Sequence, residues 1–163
     1  MLKDNRSLSI APVCALLLLS GCGWLRPGGP PDEAGVEISS GDVDKAVLVV
    51  SQNFVWADDP ECEGNGGPGC DPTLQVISAD TFIVSLPDNR TIKFNSRQQL
   101  LVESYPDVDE ATRLGMRVTI DGDERYNNFA TLQPATGDVP RQSLYFAYTF
   151  GGRPLNTGGG IGG

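Results

Sequence analysis

The reactive side chains of this 163-residue chain are carboxylates, cysteines and a few aromatics, and histidine is absent. Without imidazole there is no Ser-His-Asp or Cys-His relay and no His-ligated metal. Asp58, Asp59, Glu61, Glu63 and Asp71 crowd around Cys62, Cys70 and the glycines between them. Such a loop offers hard carboxylate and carbonyl oxygens, the ligand type that Ca²⁺ takes. The competing reading is a solvated turn, since turns favour Asp and Gly for conformational reasons alone. Asp121, Asp123 and Glu124 form a second acidic group, but Arg125 stands where a calcium loop of the helix-loop-helix type would place a third ligand. Gly64, Gly66, Gly67 and Gly69 lead into no helix or lysine, so they do not form a phosphate loop. Two carboxylates roughly 5 to 9.5 Å apart can hydrolyse a glycoside. A small β domain leaves little room for a saccharide cleft, and the chain is read as non-enzymatic, with no catalytic residue assigned. Trp56, Tyr105, Tyr126 and Tyr145 are placed near strand ends or on an outer face. Aromatics beside acids suit recognition of a basic partner or a sugar; packing is the competing role.

The start of the chain sets the compartment. Lys3 and Arg6 precede an apolar stretch from Leu8 to Leu19, which runs into Ser20, Gly21 and Cys22. The stretch is too short to cross a bilayer, which takes roughly 20 residues. Leu19-Ser20-Gly21-Cys22 resembles the lipobox of bacterial lipoproteins. The resemblance implies that residues 1–21 are a removed signal peptide and that Cys22 carries a diacylglycerol and acyl chains such as palmitate. At about 0.8 kcal/mol per buried methylene, two or three chains anchor the protein stably in a lipid bilayer. Gly23, where an inner-membrane retention signal would have Asp, implies the outer membrane of a diderm envelope, facing the periplasm. In that oxidising compartment Cys62 and Cys70 are expected to form a disulfide. So short a ring contributes roughly 2.5 kcal/mol in the chain-entropy account.

The formal net charge is −9, and loss of Lys3, Asp4 and Arg6 with the leader brings the mature chain near −10. A chain this acidic, lacking a basic patch, does not bind nucleic acid through phosphates. A cation or a basic partner remains compatible. The function expected is a lipid-anchored, non-enzymatic domain that binds an envelope protein or cell-wall glycan. The alternatives are an acidic inhibitor of a basic enzyme and a carboxylate-based wall hydrolase.

The elements that position these residues read as strands. Residues 22–44 are rich in Pro, Gly and acids and are expected to be a flexible linker, with a coil-like reach of ~25 Å. Residues 45–150 form the β domain, and the Gly-rich stretch 151–163 is expected to be disordered. Ala46 to Val50 reads as a strand buried on both faces that continues towards Phe54-Val55-Trp56. Alternation marks strands at Phe82–Leu86, Met116–Ile120 and Leu144–Phe150, with weaker ones at Leu74–Ile77 and Arg125–Leu132. Pro87-Asp88-Asn89-Arg90 reads as the turn of a hairpin that returns through Ile92 and Phe94, and Asp109–Leu114 as one short helical turn. The expected class is all-β: a small antiparallel barrel or sandwich of about six to eight short strands. Leu114-Gly115-Met116-Arg117-Val118-Thr119-Ile120-Asp121-Gly122 resembles the Leu-Gly-x-x-Val-x-Val-x-Gly strand of small OB-type barrels in bacterial envelope proteins.

Overall fold

A computed structural model describes residues 29–57, 73–151 and 161–162. Period-2 alternation of apolar side chains dominates, so the segments pair as strands and bury one face each. The strands are β1 (Glu33–Ser39), β2 (Lys45–Ala57), β3 (Thr73–Ser85), β4 (Asp88–Lys93), β5 (Gln99–Pro106), β6 (Thr112–Ile120), β7 (Asp123–Leu132) and β8 (Ser143–Thr149), with a two-residue β9 (Ile161–Gly162). They form two antiparallel sheets, ordered β4-β1-β6-β7 and β3-β2-β5-β8-β9. The fold is all-β and a sandwich. The Leu114–Gly122 segment supplies β6, central in one sheet, and its following turn.

One core fills the space between the sheets. Ala34, Val36 and Ile38 of β1 and Leu114, Met116, Val118 and Ile120 of β6 meet Ala46, Leu48, Leu100, Val102, Leu144 and Phe146 of the facing sheet. Phe146, Leu48, Leu100 and Met116 are among the largest side chains fully removed from solvent. Each such burial contributes about 1.5–3 kcal/mol. The β6–β7 connection is a two-residue turn, Asp121-Gly122, with φ of 49° and 86°. Asp and Gly are the residues that tolerate paired positive φ, the turn geometry favoured between twisted antiparallel strands. Asp121 does more there: its Oδ1 accepts from the Asp32 and Glu33 amides at 2.9 and 3.0 Å.

Four sequence expectations are corrected. Residues 33–39 lie within the expected linker yet form β1, hydrogen-bonded to β4 on one side and β6 on the other. Ala34, Val36 and Ile38 alternate with Glu33, Gly35 and Glu37, and burial of the first three outweighs the polar composition. The expected hairpin across Pro87 does not form, because β3 pairs with β2 whereas β4 pairs with β1. Leu86 and Pro87 instead carry the chain from one sheet to the other, so Val84 and Ile92 reach the core from opposite layers. No described residue is helical, and Asp109–Leu114 is no exception, since β6 begins at Thr112. Arg141 holds that loop open through bonds to the Pro106 and Val108 carbonyls and the Asp109 carboxylate, at 3.2, 2.7 and 2.6 Å. Finally, Ile161 and Gly162 of the expected disordered tail pair with Leu144 and Ser143.

Candidate functional site

The least protected element is β3. It is 13 residues long and, among the described residues, ends its sheet with β2 on one side only. Natural edge strands are kept short or blunted with Lys, Pro or inward charge. Between Leu74 and Val84 this one has no proline and a single charged residue, Asp80. Val76, Ile77, Phe82 and Ile83 are 45, 58, 39 and 67% exposed. Arg90 of the overlying edge strand β4 lies 4.9 Å over the Phe82 ring and is held by Asp88 at 2.6 Å. A free row of main-chain donors and acceptors is thus flanked by apolar side chains.

Beside this edge the β2–β3 ladder carries two compensating irregularities. Val50 pairs with Asp80 and Asn53 with Ser78, which leaves one extra residue on β2; Phe54 then pairs with Val76, which leaves one extra on β3. Ser51 anchors the distortion, donating to the Ser78 carbonyl at 2.7 Å and accepting from the Asn53 amide at 3.1 Å. Gln52 clips the bulge to the β4–β5 loop: it donates to the Lys93 carbonyl at 2.9 Å and accepts from the Asn95 amide at 2.7 Å. Between these parts lies a cleft of ≈ 300 Å³ lined by Val50, Gln52, Asn53, Ser78, Ala79, Asp80 and Asn95. Bulges commonly sit where a side chain must be re-aimed. Here the Asn53 amide nitrogen donates to Ser78 Oγ at 3.3 Å, while Asn53 Oδ1 is buried without a partner.

The outer face of the other sheet is polar. Arg117 bridges Glu124 at 2.7 Å and Glu37 at 3.3 Å. The hydrogen bond from Arg117 holds the Glu124 carboxyl below its ordinary range, and the same pairing raises the Arg117 guanidinium. All three are solvated, and such surface pairs contribute little. Next to them Phe129 lies on Gly115 with Arg113 stacked 5.3 Å over its ring, beside a smaller recess of ≈ 160 Å³.

The aromatic residues singled out from sequence are not brought together as one patch. Tyr126 corrects the expectation of exposure: it is 6% exposed and packs against Phe146 at 5.9 Å. Burial also pushes its phenol above the ordinary value. Tyr145 is 36% exposed and faces Glu103 across the β5–β8 ladder, with Tyr105 its diagonal neighbour under Arg141 at 5.6 Å. Trp56 lies at the far end of β2, edge-on to Phe54 at 6.5 Å, its indole nitrogen buried without a partner. Asp58, Asp59, Glu61, Glu63 and Asp71, the expected Cys62–Cys70 disulfide and Cys22 lie outside the described residues. Among the described residues no three acidic or cysteine side chains converge on a metal-sized space. The second acidic group is engaged otherwise: Asp121 caps the start of β1, Asp123 approaches Arg125 at 3.7 Å, and Glu124 pairs with Arg117. Lys45 and Lys93 are both solvent-exposed.

Sequence reasoning missed Gln52, Asn53, Asp80 and Asn95. The near-absence of charge from Leu74 to Val84 was a signal for the edge, but nothing in the sequence announces the paired bulges that open the cleft. No protein-family profile matches the chain, and no curated protein or solved structure matches it either.

Proposed function

We propose that the protein is a lipid-anchored envelope lipoprotein whose sandwich acts by binding, taking up an extended segment of a basic envelope protein as an added strand on β3. The observation that carries this reading is the long, largely apolar edge of β3, with Asp80 its one charge between Leu74 and Val84. Strand addition supplies affinity through main-chain hydrogen bonds and needs no deep cavity. The lipobox resemblance supports the anchor at Cys22 and delivery to the periplasmic face of the outer membrane.

Charge selects the partner. The chain has formal net charge −9, with Asp80 the one charge between Leu74 and Val84, so a basic segment is drawn in and an acidic one repelled. A second copy fits less well, because both chains carry the same charge and the β3 irregularity interrupts a two-fold ladder.

The test places a photo-crosslinking residue at Ile77, Ile83 or Val139 of the full chain in intact cells. The proposal expects one basic protein captured from Ile77 and Ile83, not from Val139, and lost when Ile77→Lys and Ile83→Lys are combined. Capture of the chain's own copy, or of nothing from β3, overturns it. Cys22→Ala is expected to release the chain from the membrane fraction; unchanged membrane retention rejects the lipid anchor.

A further inference from the structure

We infer that the cleft behind β3 is a specificity pocket for a cationic side chain, Lys or Arg, projecting from the docked strand; this rests on the strand-addition reading above. Side chains of a strand alternate between faces, so every second residue of a strand laid along β3 points to the same side as Ser78 and Asp80. That side is the one where the cleft opens.

Charge decides what enters. Both ends of the Gln52 amide are engaged, with Lys93 and Asn95. Asn95 donates to the Gln52 carbonyl at 3.5 Å and accepts from the Arg97 amide at 2.9 Å. The Asn53 nitrogen is used on Ser78. Each of these amide nitrogens keeps a second N–H and the Ser78 hydroxyl its own proton, so neutral partners are served, and the unbalanced group is the Asp80 carboxylate, which forms no ion pair among the described residues. A sugar hydroxyl finds partners among these groups but leaves the Asp80 charge unmatched. A guanidinium or ammonium brings donors only, and a positive charge to match Asp80.

The probe is a synthetic strand peptide of alternating threonine and valine with one central arginine, compared with the same peptide carrying citrulline, its neutral isostere. Binding is measured to the full chain in detergent. The proposal expects the arginine peptide to bind about tenfold or more tightly, as charge-assisted hydrogen bonds imply. That preference is expected to vanish in Asp80→Asn, to persist in Asp80→Glu, and to survive Asp123→Asn on a distant turn. Asp80 is exposed, so its replacement leaves the core intact. If both peptides bind equally and both are lost with Ile77→Lys/Ile83→Lys, strand addition stands and the pocket assignment falls. A preference unchanged in Asp80→Asn also overturns the assignment. If neither peptide binds the native chain, the docking reading fails and the pocket falls with it.

Discussion

Gly115 shows how a single missing side chain shapes a surface. A Cβ built there would come within 2.1 Å of the Phe129 ring, so the ring occupies the space that the glycine leaves. Covering a strand glycine with a cross-strand aromatic protects main chain that would otherwise weaken the sheet. Phe129 is half exposed and can swing away, so Gly115→Ala is expected to cost only about 1 kcal/mol. In a Phe129→Ala background the same change becomes neutral or stabilising, and a double-mutant cycle by denaturant unfolding measures that coupling. Equal costs in both backgrounds would remove the ring from the explanation.

Tyr126 makes a sharper case. Its hydroxyl is buried without a partner, and desolvation raises the phenol above its ordinary value. A raised folded value contributes stability that is complete below the unfolded value and is lost as pH climbs through the folded one. Alkaline weakening is therefore expected to begin near pH ~10, where the unfolded phenol ionises. Tyr126→Phe removes both the unpaired oxygen and the titration. It should match or exceed the native chain at neutral pH and hold its stability further into base, as read by urea midpoints across pH. Neither role was legible from sequence. Gly115 sat in a strand pattern with no hint of the ring above it, and Tyr126 lay in one of the two weaker strand segments.

At the scale of elements, the strong alternations were read correctly. Met116, Val118 and Ile120 of β6 and Leu144 and Phe146 of β8 point inward as expected. The reading failed where local composition and long-range pairing disagreed. β1 hides three apolar residues among acids and glycine, and only its two partners, fifty or more residues away in sequence, make burial worthwhile. β5 was overlooked for a different reason. Leu100, Leu101 and Val102 are all buried, so no alternation marks them. One side of β5 faces the main core, and Leu101 joins Phe54 and Ala147 in a second cluster on the outer side. A charge inside β1 tests its place: Val36→Asp puts an unpaired carboxylate in a fully buried site and should abolish cooperative folding. A native-like thermal transition for that variant would return the segment to the role of linker.

Across the whole molecule, the acidic composition, the filled core and the exposed β3 edge are the features on which the proposed strand addition rests. The route of the chain adds a consequence of a mechanical kind. Only 11 residue steps separate Cys22 from Glu33, at most roughly 40 Å of extended chain. Under the proposed anchor at Cys22, a pull on the amino end enters the domain through β1, which lies between β4 and β6 with six residue pairs on each side. Tension along that strand loads both ladders together in shear, whereas tension on the other end meets two residue pairs at β9. Optical-trap stretching from the amino end is expected to need markedly higher force for first rupture than peeling from Gly162. The amino-terminal end of the sandwich is thus its strong grip, the end able to bear load should the proposed anchor and partner pull against each other.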